Sequence, residues 1–288
     1  MEAYGPDVTA DGRLLAYMAS RPAGGGGWEI RTKSLVDGQE KLVVSSGPYP
    51  QLRETRLLPH WSPDGTLLAY NYAPSEDQNV SLIVADARTA SERVITSPGM
   101  NAIPFDWSKD GQSLLASIWQ TPGAASIWLV PLAAAPEAEK SGRPVTSEAH
   151  QDLWQSRLSP DGRWVVFDAV PTPRGFSSTI HVVPTSGGPW IQITEGRYWD
   201  DKPRWSPDGK SIYFISSRDG VFNVWVVAFD AERGRVEGDP IRVTAFNGPR
   251  RLMLPDLILG EMAVSRDRLF VCLQEASGSI WTLDKVDR

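Results

Sequence analysis

At 288 residues with 41% hydrophobic positions, the chain is long enough to bury a large core, and its composition fits neither a disordered tail nor a fibre. Its 29 basic residues against 35 acidic ones leave a formal charge of −6, which opposes broad binding to phosphate backbones or anionic lipid, so no nucleic acid partner is expected. Cys272 is the single cysteine, so one chain can form neither an internal disulfide nor a thiolate metal cluster, and the most apolar run, Ala125 to Pro136, is too short to span a bilayer.

In chain order, one phrase keeps returning. It reads "VTADG" ending at Gly12, "WSPDG" at Gly65, "WSKDG" at Gly111, "LSPDG" at Gly162, "WSPDG" at Gly209 and a degenerate "VSRDR" at Arg268. Each copy precedes an apolar run: "LLAYMAS", "LLAYNYA", "SLLASIW", "WVVFDAV", "SIYFISS" and "LFVCLQE". Past a polar loop comes another run, as in "SLIVADA", "SIWLVPL", "TIHVVPT", "NVWVVAF" and "SIWTLDK". These runs are rich in β-branched and aromatic residues and bounded by Gly, Pro and Ser, which marks strands. An apolar residue with Ser or Thr closes each unit, and the steps from Ser45 to Thr96, Thr146, Thr194 and Thr244 are 51, 50, 48 and 50 residues.

Four strands per unit, about fifty residues each and six units predict an all-β fold, a six-bladed β-propeller of four-stranded antiparallel blades. A single domain over residues 1–288 is expected, with blades near 1–45, 46–96, 97–146, 147–194, 195–244 and 245–288. Ser-Pro-Asp-Gly then turns the chain between the first and second strands, with Pro presetting φ and Gly accepting a positive one. Trp61, Trp107 and Trp205 recur before the turn, and Trp128, Trp225 and Trp281 recur in the third strand, so all six are expected in the wedge-shaped core between blades.

The [WL]-S-P-D-G phrase, the following apolar strand, "SSRDG" at Ser216 to Gly220 and the closing Val/Ile-Thr resemble the WD-like repeats of TolB-type six-bladed propellers. The resemblance covers essentially the whole chain and implies a binding or gating module rather than a particular activity. Propellers of this type usually complete one blade with a strand from the other terminus. The sixth unit here stops after three strands at Arg288, so the expectation is a sixth blade left incomplete in this chain, which is a portion of a longer polypeptide or leaves one blade edge open.

Motifs for chemistry are sparse. There is no G-x-S-x-G elbow, "DGKS" at Asp208 lacks the glycine that closes a phosphate loop, and "GGGG" at Gly24 lacks a strand-to-helix context. No cofactor, metal site or catalytic residue is therefore predicted, and the chain is read as no enzyme. His181 takes the place held by Trp128 and Trp225 in other units and reads as packed. His60 has Asp7, Arg157 and Arg204 as counterparts, which marks a tunnel-side or inter-blade position. Asp200 and Asp201 are adjacent, so they do not face each other as a general acid and base would.

In a propeller the loops entering the inner strands gather on one face around the channel mouth. There the sequence collects Tyr49, Arg53, Arg56, Trp154, Tyr198 and Trp199, with His60, Asp200, Asp201, Arg250 and Arg251 beside them. Trp, Tyr and Arg supply most of the binding energy at interfaces. This face is the expected site for a protein or peptide partner, within a larger bacterial signalling or envelope protein. The alternative is an accessory or gating propeller of a peptidase or glycan-processing enzyme whose catalytic domain lies outside these residues. No signal peptide pattern is visible in "MEAYGPDVTADG", and the compartment stays open.

Overall fold

The computed structural model describes residues 3–20, 27–45, 55–73, 79–96, 100–120, 123–133, 142–172, 177–246, 251–253 and 261–275, with backbone alone for 55–57 and 251. Among them every regular element is a β-strand. Strands β1 (Ala3–Val8), β2 (Leu14–Ser20), β3 (Trp28–Ser34) and β4 (Glu40–Ser45) form the first antiparallel blade. The second holds β5 (Thr55–Trp61), β6 (Leu67–Ala73), β7 (Ser81–Asp86) and β8 (Glu92–Val94), and the third β9 (Asn101–Trp107), β10 (Ser113–Trp119), β11 (Ser126–Pro131) and β12 (Arg143–Thr146). The fourth holds β13 (Gln151–Leu158), β14 (Trp164–Pro171), β15 (Thr179–Pro184) and β16 (Ile191–Gln192), and the fifth β17 (Asp200–Trp205), β18 (Ser211–Ser216), β19 (Asn223–Asp230) and β20 (Arg235–Arg242).

The structure has five four-stranded blades among the described residues, not the expected six with an incomplete sixth. Five sheets are four-stranded, whereas the last repeat gives only two two-stranded ladders among the described residues, β21 (Arg251–Leu252) with β24 (Gln274–Glu275) and β22 (Met262–Val264) with β23 (Leu269–Val271). The degenerate phrase accounts for part of this. Ser62, Ser108, Ser159 and Ser206 each donate their N–H to the carbonyl five residues on, but Ser265 donates to Arg268, three residues on. With Arg268 where glycine stands elsewhere, the turn is shorter and the strands it joins are only three residues each. The hairpin still fills the ring, because β22 packs against both β17 and β1.

The repeated phrase is a mechanical unit. In "WSPDG" the Ser62 hydroxyl donates to Asp64 at 2.6 Å and accepts from Leu67 N–H at 2.9 Å, while Asp64 accepts from Thr66 N–H at 3.1 Å. The same three bonds recur at Ser108, Ser159 and Ser206, and Thr9 reproduces them with its own hydroxyl. Gly65, at φ +69°, supplies the left-handed residue that such a turn demands. The side chains of the phrase are thus occupied in bending the chain.

Burial follows the wedge geometry. Clusters such as Ala69, Leu82, Trp107, Leu114 and Val130 fill the space between neighbouring blades. Trp61, Trp107 and Trp205 are buried as expected, and two of them link blades, Trp107 Nε1 donating to His60 O at 3.0 Å and Trp205 Nε1 to Arg157 O at 3.1 Å. Trp128 and Trp225 are only half-buried, because the third strand lies farther from the axis, where the wedge opens; Trp281 lies outside the described residues. His181 is also half-buried, stacked on Phe167 at 5.8 Å between ring centres.

Candidate functional site

Each of the five inner strands carries one extra residue relative to its partner, for example between Leu57 and His60 and between Asp201 and Arg204. In four of them a residue with φ between 54° and 59° marks the bulge: Gly5, Leu58, Gln155 and Lys202. Such a bulge re-aims the side chains after it. Two residues later in those strands stand Asp7, His60, Arg157 and Arg204, all polar in an otherwise apolar pattern.

These side chains converge at the axis. Asp7 lies 3.8 Å from His60 Nδ1 and accepts Trp61 N–H at 2.7 Å. Arg157 Nη2 reaches His60 Nδ1 at 3.5 Å, although β5 and β13 are separated in the ring by β9. Arg204 pairs with Glu261 and donates Nε to Met262 O at 2.8 Å, which ties the fifth blade to the hairpin at the sixth ring position. Lys202 Nζ stands 3.6 Å from Glu261 and 3.8 Å from Asp201. Side chains from non-adjacent blades therefore meet across the middle of the ring.

Burial and pairing compete within this cluster. Burial alone would raise Glu261, but Arg204, Lys202 and Arg157 together pull its carboxyl down to about 2. Asp7 behaves likewise, its desolvation outweighed by His60, Arg157 and the Trp61 N–H. At Asp106 burial wins over Arg157 and two backbone N–H groups, and the carboxyl is raised. Asp168 is raised well above the usual carboxylate range by burial and by the Asp201 charge beside it. Burial and the Arg157 charge lower His60 against the opposing pull of Asp7, and desolvation brings Arg157 down to about 10.

The residues expected at the channel mouth fall into three groups. Trp154, Tyr198 and Trp199 are half-buried on the side where the inner strands begin. Trp154 packs edge-on against Trp119 with ring centres 5.4 Å apart, and Arg218 lies 5.6 Å from the centre of the Tyr198 ring. His60, Asp200 and Asp201 are buried instead, at 4%, 0% and 5% exposure. The two aspartates are not solvated surface charge: Asp200 pairs with Arg218 at 3.3 Å, and Asp201 accepts Lys202 N–H at 2.6 Å and Trp199 Nε1 at 3.3 Å. Tyr49, Arg53 and Arg250 lie outside the described residues, and for Arg56 and Arg251 only the strand position is described.

Sequence reasoning missed Asp106, Asp168, Lys202 and Glu261. A register within the repeat would have found three of them, since Asp106 stands two residues before Ser108 as His60 does before Ser62, and Lys202 and Glu261 stand four before Ser206 and Ser265. Asp168 lies in a second strand amid apolar residues, so its charge alone was the signal.

The TolB beta propeller domain model matches residues 15–235, and the chain belongs to that family. The Tol-Pal system protein TolB of Histophilus somni is 33% identical over 88 residues, covering 30% of this chain and 18% of that protein. TolB from Acinetobacter baumannii superposes with a TM-score of 0.63 at 18% identity over 83% of this chain and 57% of that one. A puromycin-hydrolyzing peptidase of Mycobacterium tuberculosis superposes with a TM-score of 0.60 at 18% identity, over 90% of this chain and 43% of the peptidase. The chain spans half or less of the length of the first two curated relatives it matches, 50% and 18%.

Proposed function

We propose that this chain is a non-enzymatic module that holds a protein or peptide on its channel-mouth face, as part of a larger bacterial envelope or signalling protein. The observation that carries the reading is the contact of Arg157 with His60 across the ring, with Asp7, Arg204 and Glu261 beside them. Side chains that meet at the axis obstruct passage along it, which favours a surface that receives a partner over a channel that filters substrate. The half-exposed Trp154, Tyr198 and Trp199 at the mouth are residue types that anchor interfaces. The name of the Histophilus relative, a Tol-Pal system protein, supports an assembly role. The likeness to the peptidase supports the alternative of an accessory propeller, and the obstructed axis weighs against substrate passing through it.

Selection of a displayed random peptide library on the immobilised chain tests this. Enriched sequences are expected to bind the wild type and to lose binding to a Trp154→Ala/Trp199→Ala variant whose melting temperature is close to the wild type. Retention of those peptides by the variant, or no enrichment at all, contradicts the proposal.

A further inference from the structure

The inference that follows rests on the mouth-face reading and concerns the chemistry of what enters there. Asp168 is 2% exposed, and its Oδ1 has no hydrogen-bond partner. Among the described residues no lysine, arginine or histidine stands within ion-pairing distance of it. Lys202, the lysine whose charge acts on Asp168, stands between Asp201 and Glu261, and Arg204 is held by Glu261. An unpaired buried carboxyl is costly and asks for a partner.

The surroundings of Asp168 define that partner. Trp154 is its direct partner in the β13–β14 ladder, so both side chains leave the same face of the sheet. Across from them, Trp199 is tied through Nε1 to Asp201, the carboxylate whose charge acts on Asp168. β14 and β13 pack against β17, so the Asp168 and Asp201 carboxyls and the half-exposed Trp154 and Trp199 indoles lie on or beside adjoining strands, and charge beside aromatic faces is the pairing that recognises an organic cation. A metal ion fits less well, because it takes several oxygen ligands and no indole.

From this juxtaposition we infer that the channel mouth takes one cationic group of a peptide partner, a lysine or arginine side chain, received by Asp168 and Asp201 and flanked by Trp154 and Trp199. Burial favours the protonated form of the Asp168 carboxyl, and a cation arriving beside it favours loss of that proton. The charged groups acting on that proton are Asp201 and Lys202 of β17 and Glu261 before β22.

Capped pentapeptides of sequence Gly-Ser-X-Ser-Gly, with X as Arg, Lys, Gln or Glu, test the inference by titration against the indole N–H resonances of Trp154 and Trp199. The Arg and Lys peptides are expected to shift these signals at about tenfold lower concentration than the Gln peptide, and Asp168→Asn to abolish that preference. Shifts at equal concentrations for all four peptides would sink the cation inference while leaving the mouth-face reading standing. Absence of any shift with every peptide would overturn both. The wild-type series decides the matter even if the Asn variant fails to fold, and an Asn variant that keeps the preference counts against it.

Discussion

Glu261→Gln removes the charge that joins the fifth blade to the hairpin closing the ring. Glu261 is 1% exposed and faces Arg204 and Lys202. Its carboxyl sits at about 2 against an ordinary 4.5, because the surrounding cations outweigh the desolvation. That difference corresponds to about 3 kcal/mol of stability near neutral pH. Removing one partner of a buried pair gives a similar figure of about 3–5 kcal/mol, since two cations are left under-compensated. At about 2–4 °C per kcal/mol the variant should melt about 6–12 °C below the wild type at pH 7. A depressed carboxyl stabilises above its unfolded value and loses that contribution as pH falls through the folded one, so the gap should narrow between pH 4.5 and about 2. Thermal melts of both proteins across that range are the assay. A variant melting within about 2 °C of the wild type at pH 7, or a gap that does not change with pH, would refute the reasoning.

Other outcomes follow from the same coordinates. Asp64→Ala forfeits bonds from the Ser62 hydroxyl and Thr66 N–H and should cost about 1–2 kcal/mol by urea unfolding, whereas Asp267→Ala, whose Ser265 contact is 3.5 Å, should cost less. Gly142→Ala should cost about 3 kcal/mol or more in the same assay, because φ is +77° and a Cβ would fall 2.0 Å from Leu129 O. Burial pushes the Cys272 thiol up to about 11, so its modification by a disulfide reagent at pH 8 should run about a hundredfold slower than that of free cysteine.

The architecture was legible because it repeats. A Ser-Pro-Asp-Gly turn needs the same hydroxyl, carboxylate and positive φ wherever it occurs, so five copies announced themselves as letters. The last repeat was misread as most of a blade because apolar runs look alike whether they form six-residue strands or three-residue ones. At the site, His60 and its counterparts Asp7, Arg157 and Arg204 stood out by their register before the turn. Asp200 and Asp201 were expected at the partner-binding mouth, but composition does not show that Arg218, Lys202 and Trp199 enclose them. Asp168 was illegible for a related reason: its meaning comes from a neighbouring blade more than thirty residues away in sequence.

Hydrogen exchange of the chain with and without a peptide selected for binding tests the central claim most directly. The account predicts added protection at Gln151–Trp154 and around Tyr198–Asp201, with the turns at Ser62–Gly65 and Ser206–Gly209 unchanged. Protection concentrated at those turns, on the opposite face of the ring, would contradict it.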